Sequence, residues 1–158
     1  MMKSVCHLLL LAATFAYASA EGSLACSKYL SFTLVTSVDQ PAFIDCKSDP
    51  AGRAALTALA SGTRCSDYKF YNGEIFCQIA AAPYMKCVAG KLGWLKADGS
   101  IDSAKVLAKL KSVVTYNPSC RAAQYDFAVK QCGTTINYYA FLEKVACLQY
   151  VSFKYAPG

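Results

Sequence analysis

The sequence predicts an all-α fold, a compact bundle of five to seven helices stapled by up to four disulfides. Three observations carry that expectation. Apolar residues recur at three- and four-residue steps over several segments. Asp-Pro, Asn-Pro and Gly punctuate those segments, and no pair of alternating runs reads as a hairpin. Eight cysteines follow a short hydrophobic leader.

The leader sets the compartment. Met1, Met2 and Lys3 form a charged start, an apolar run extends from Val5 to Phe15, and Ala18-Ser19-Ala20 is a small-x-small cleavage site. That order predicts a signal peptide over residues 1–20, and the run is too short to span a membrane. Cleavage after Ala20 leaves 21–158 as a single helical disulfide-rich domain, secreted and extracellular. It also carries away Cys6 and the chain's one histidine, His7. Cys26, Cys46, Cys65, Cys77, Cys87, Cys120, Cys132 and Cys147 remain, an even set that reads as a disulfide framework with about 105 pairings open to it. No C-x-x-C pair suggests a redox motif or a zinc knuckle.

Along the chain, Leu24 to Val38 mixes strand-prone residues with a helical spacing of Leu30, Leu34 and Val38, and helix is expected there. Asp49-Pro50 opens an alanine-rich helix that ends near Ser61-Gly62. Gly73 to Ala82 and Tyr84 to Leu95 form two more, separated or kinked at Pro83. Asp98-Gly99-Ser100 is a turn, and Ser100 or Asp102 caps a helix from Asp102 to Val114. Val106, Leu107, Leu110, Val113 and Val114 share its apolar stripe, with Lys105, Lys109 and Lys111 opposite. Asn117-Pro118 stops it. A helix from Ser119 to Gln131 follows, ended by Gly133, and a last one runs from Thr135 to Tyr150.

The residue inventory argues against a catalyst. Without histidine, Ser-His-Asp and Cys-His nucleophiles, histidine metal sites and the imidazole base are all missing. Carboxylate-pair chemistry remains formally open, but the ten acidic residues are scattered. No catalytic residue, metal ligand or cofactor is assigned. Asp98-Gly99-Ser100-Ile101-Asp102 has the look of a calcium loop, yet Trp94 and Lys96 stand where oxygen ligands belong. The formal charge of +6 is spread along the chain rather than gathered into a patch with interleaved aromatics, which speaks against nucleic acid. Asn117-Pro118-Ser119 carries the proline that forbids N-glycosylation.

The stretch Tyr84-Met85-Lys86-Cys87-Val88-Ala89-Gly90-Lys91-Leu92-Gly93-Trp94-Leu95-Lys96-Ala97-Asp98-Gly99-Ser100-Ile101-Asp102 resembles the middle of insect odorant-binding proteins. There a cysteine-bearing helix leads through K-L-G to D-G-x-I-D and a lysine-rich helix. Tyr139-Ala140-Phe141-Leu142-Glu143-Lys144-Val145-Ala146-Cys147 is similar to that family's last cysteine-bearing helix. On this resemblance Cys87, Cys132 and Cys147 stand for the third, fourth and sixth family cysteines. The second falls at Pro83 and the fifth near Tyr138, as in the minus-C subgroup, while Cys26, Cys77 and Cys120 have no counterpart. The resemblance implies a Cys132–Cys147 bridge and a bond from Cys87 to Cys46 or Cys65.

It also implies a carrier of small hydrophobic or amphiphilic ligands in an internal helical pocket. The composition, 55% hydrophobic and rich in tyrosine and phenylalanine, leans the same way. The expected lining comes from Phe76, Met85, Leu92, Leu95, Leu110, Val114, Phe127, Phe141, Val145 and Tyr150, with tyrosine hydroxyls orienting a head group. The tail from Val151 to Gly158 is expected either to close over the pocket mouth or to fray. The competing reading is a secreted protein-interaction factor (effector, inhibitor or toxin-like) with no small-molecule ligand. Oligomeric state is left open.

Overall fold

A computed structural model describes residues 24–26, 28–29 and 40–155. The leader, most of the segment expected as a helix over 24–38, and residues 156–158 of the tail lie outside the described residues. Six helices are bounded: α1 (Gln40–Ser48), α2 (Pro50–Ser61), α3 (Ile75–Lys91), α4 (Ser103–Tyr116), α5 (Ala122–Cys132) and α6 (Phe141–Phe153). Residues 24–26 and 28–29 are helical as well. The all-α class holds. Among the described residues β structure is confined to two isolated bridges, Lys69–Asn72 and Leu95–Ile101. No described helix is long and apolar enough to cross a membrane.

Local chemistry explains most of the boundaries. Asp49 accepts a bond from Gly52 N at 2.9 Å and Pro50 fills the first turn, so α2 starts where the sequence predicts. Asp102 caps α4 by accepting from Lys105 N at 3.0 Å, and Asn117-Pro118 ends it. Between α3 and α4, Asp98 accepts from the Ser100 amide and hydroxyl, which hold its carboxyl below the usual range. Gly99 takes φ +78 there, so the segment is a turn and a cap.

Four elements differ from expectation. α1 is a helix where none is predicted. Its apolar residues Ala42, Phe43, Ile44 and Cys46 draw no clear stripe, and Ile44 is exposed. α3 is one helix, not two. Pro83 sits inside it on the exposed side, so the helical bond it cannot donate is lost where solvent can serve the carbonyl of Ile79. α6 begins at Phe141 rather than Thr135, because Tyr138 and Tyr139 take φ +50 and +58. That left-handed pair stops a helix from propagating back through the turn closed by Ala140 N to Asn137 O. α5 likewise starts at Ala122, three residues later than expected, with Arg121 N donating to Gln124 Oε1.

Four disulfides staple this arrangement: Cys26–Cys120, Cys46–Cys87, Cys65–Cys77 and Cys132–Cys147. The two bridges implied by the resemblance are both present, Cys87 taking Cys46 rather than Cys65. Cys26–Cys120 ties residues 94 apart in the chain, the largest loop of the four. In the chain-entropy picture each bridge contributes about 3 to 5 kcal/mol, the longest loop most.

Within the core, α1, α2 and α3 pack closely on one another, as do α4 with α5 and α5 with α6. Gly52 marks the tightest approach. A Cβ built there would stand 2.2 Å from the Cys46 carbonyl oxygen. Polar groups inside are paired: Tyr84 Oη donates to Phe43 O at 3.1 Å and Tyr125 Oη to Leu107 O at 2.6 Å. Among the described residues no buried side-chain nitrogen or oxygen lacks a partner.

Two expectations follow from this packing. Gly52→Ala forces α2 away from the end of α1 and lowers unfolding free energy by about 1–3 kcal/mol, read from urea denaturation. Burial, helped by the Asp126 charge, pushes the Tyr125 hydroxyl up to about 12. A raised acid of this kind contributes stability that is complete below pH 10 and is lost as pH climbs through the folded value. Absorbance titration of the folded protein therefore shows a late tyrosine ionisation that Tyr125→Phe removes. The stability gap between the two proteins narrows from pH 10 upward.

Candidate functional site

An open cleft of about 580 Å³ lies between the start of α3 and the start of α6. Gly73, Ile75 and Gln78 form one wall. The other comes from the α5–α6 connection (Thr135, Ile136, Asn137, Ala140) and from Glu143 and Lys144 of α6, with the Cys132–Cys147 bridge alongside. Its size suits one small organic molecule.

Gln78 spans the cleft. It is 6% exposed, and its Nε2 donates to Glu143 Oε2 at 2.6 Å and to Gly73 O at 3.1 Å. One amide thus joins the loop before α3 to α6 and holds the Glu143 carboxylate in a set direction. Gly73 is required at its place because a Cβ would stand 2.1 Å from Tyr68 Cε2. The Tyr68 ring therefore lies directly behind the cleft wall. Burial, and then the nearby Glu143 charge, push the Tyr68 hydroxyl above its ordinary value.

Lys144 is differently occupied. Its Nζ donates to Cys132 O at 2.5 Å and Gly133 O at 3.1 Å, closing the carbonyl end of α5. Gly133 (φ +68) ends that helix as the sequence predicts. Desolvation lowers the Lys144 ammonium from its ordinary value, and the Glu143 charge works in the opposite direction.

A second, shallower hollow of about 420 Å³ lies between α1 and the end of α3. The Lys91–Asp45 ion pair, 3.3 Å long, is formed by two of the residues that line it. Among the described residues no group of three His, Cys, Asp or Glu side chains is placed to hold a metal ion.

The ten residues expected to line an internal pocket do not line either hollow. Met85, Leu110, Val114, Phe141 and Val145 are buried in the core; Leu92, Leu95 and Phe127 are half-buried; Phe76 and Tyr150 are exposed. Arg64 lies over the Phe76 ring and Lys154 over the Tyr150 ring. Four tyrosine hydroxyls, those of Tyr29, Tyr84, Tyr125 and Tyr139, serve main-chain carbonyls rather than a cleft. The tail from Val151 continues α6 to Phe153, and Tyr155 packs on Phe127 with centroids 5.6 Å apart.

Sequence reasoning did not single out Gln78, Glu143 or Lys144. The usable signal was Gln78 itself, the one amide in the apolar run from Ile75 to Met85. No protein-family model, curated protein or solved structure matches the chain.

Replacing Gln78 by Met keeps the volume and removes both bonds. The Glu143 carboxylate and the Gly73 carbonyl lose their donor, and stability falls by about 1–3 kcal/mol, measured by urea denaturation of the oxidised protein.

Proposed function

We propose that this chain is a secreted carrier of small amphiphilic molecules, which it holds in the cleft between α3 and α6. The observation that carries this reading is the mixed lining. The carbon surfaces of Ile75, Ile136 and Ala140 stand beside the polar groups of Gln78, Asn137 and Glu143. Ligand sites combine apolar walls with a few placed polar groups, and this cleft has both at a suitable volume. Ile75 is 64% exposed, so its side chain is available to a ligand rather than spent in the core.

Two features support export and binding over catalysis. The charged start, short apolar run and A-x-A site predict a cleaved leader, and four bridges suit an oxidising compartment. Beyond Ala20 the sequence contains no histidine to serve as a general base. The resemblance to odorant-binding proteins points to the same class of function, with the ligand at a surface cleft instead of the sealed interior.

A second reading rests on a different observation. Tyr71, Ile75, Phe76 and Ile79 form an exposed apolar group around the first turns of α3, which suits contact with another protein.

Titration with the uncharged fluorescent probe N-phenyl-1-naphthylamine separates the two. A carrier binds it at one equivalent, and Thr135→Trp, which fills the cleft, weakens binding by about tenfold or more, equal to ~1.4 kcal/mol. Leu110→Met, a core change of similar volume, leaves binding as it was. No saturable uptake by the oxidised full-length protein overturns the carrier reading and leaves the protein-contact reading.

A further inference from the structure

We propose that the cleft selects amphiphiles with a cationic head, a protonated amine placed against the Glu143 carboxylate with its hydrocarbon part along Ile75 and Ile136. This rests on the carrier reading and adds the head-group class, which composition and resemblance leave unspecified.

The charge arrangement of the cleft carries the inference. Glu143 Oε2 is held by Gln78 Nε2, but among the described residues Glu143 Oε1 accepts no hydrogen bond. The three ion pairs there, Arg64–Glu74, Lys91–Asp45 and Lys111–Asp126, do not include Glu143. A carboxylate offers about four acceptor positions, so one bond from an amide leaves most of them for a ligand.

The cation next in sequence, Lys144, lies near enough for the two charges to attract, but it forms no ion pair with Glu143. Lys144 uses two of its three donors on the Cys132 and Gly133 carbonyls, and its amine is held at the end of α5. An anionic head group would share the cleft with the Glu143 charge and would compete with those two carbonyls for Lys144. A cationic head meets an oriented carboxylate directly.

Gln78 fixes the polarity of the site further. Its amide nitrogen is already engaged by two acceptors of the cleft, Gly73 O and Glu143 Oε2. The donor that an incoming carboxylate would need is thus engaged, whereas the acceptors an ammonium needs are open. The half-buried setting of Glu143 reduces screening relative to the free surface, where such pairs contribute little.

The test compares three ligands of one chain length, 1-decylamine, 1-decanol and decanoate, as competitors for N-phenyl-1-naphthylamine on the oxidised full-length protein. The amine is expected to compete about fivefold or more better than the alcohol, and decanoate worse than both. Raising the salt from low to molar concentration shrinks the amine advantage and leaves the alcohol unchanged. Glu143→Gln brings the amine to the level of the alcohol without weakening decanol. Asp126→Asn, on α5 outside the cleft, retains the full preference. Equal competition by amine and alcohol on the unsubstituted protein overturns the proposal and leaves the carrier reading standing. So does an amine preference that survives Glu143→Gln. Failure of the probe to bind at all overturns both.

Discussion

A row of six aromatic rings holds the described structure together. It runs Trp94, Phe141, Phe43, Tyr84, Phe70, Tyr68, with successive centroids 5.0, 6.5, 6.3, 5.7 and 5.1 Å apart. Each contact is edge-on or tilted, the geometry in which ring quadrupoles attract, and adds about 0.5–1.5 kcal/mol beyond the area it buries. Phe141, with no exposed surface, is the link that matters most. It opens α6, meets α1 through Phe43 and meets the α3–α4 connection through Trp94. Helix backbones pack closely among α1, α2 and α3, and again along α4, α5 and α6, so this row does much of the joining between the two groups. Its last ring, Tyr68, backs the Gly73 wall of the cleft. Core and site therefore share one scaffold.

The disulfides work at the edges of that row. Cys46–Cys87 pins α1 to α3 where Gly52 already brings α2 against the Cys46 carbonyl. Cys65–Cys77 fixes the loop that carries Tyr68 and Phe70, and Cys132–Cys147 fixes α5 to α6 beside the cleft. Two of the four thus stabilise the segments that place the cleft walls. The same region accepts a local cost. Lys144 loses part of its hydration to satisfy the last carbonyls of α5, and the proximity of Glu143 offsets some of that loss.

Where helix boundaries depend on local chemistry, the sequence was readable. Asp49-Pro50, Asp102 and Asn117-Pro118 act through side-chain bonds and ring sterics within a few residues, and α2 and α4 begin or end at them. Where a boundary depends on packing, it was not. α1 is held by its contacts with α2, α3 and the Phe43 carbonyl bond rather than by a visible apolar stripe. The start of α6 is set by two tyrosines in left-handed conformation, one of which, Tyr139, anchors its hydroxyl on Gly99 O some forty residues earlier in the chain. Pro83 read as a break or a kink because local sterics disfavour it, yet helix α3 is buried along enough of its length to continue through it.

By itself the sequence determined the helical class, the even cysteine set beyond Ala20, the cap that starts α2 and the pair, Ser100 or Asp102, from which the cap of α4 comes. These follow from spacing, count and chemistry that any short window contains. Only the tertiary structure decided which aromatic residues became core, which cysteines met and which polar groups came to line a cleft. Periodicity marks a residue as apolar-facing, but burial depends on what arrives opposite it. Phe141 and Tyr150 share one helix, and one is sealed in a row of rings while the other lies exposed beneath Lys154. Gln78 and Glu143 stand 65 residues apart and meet only when α3 and α6 do.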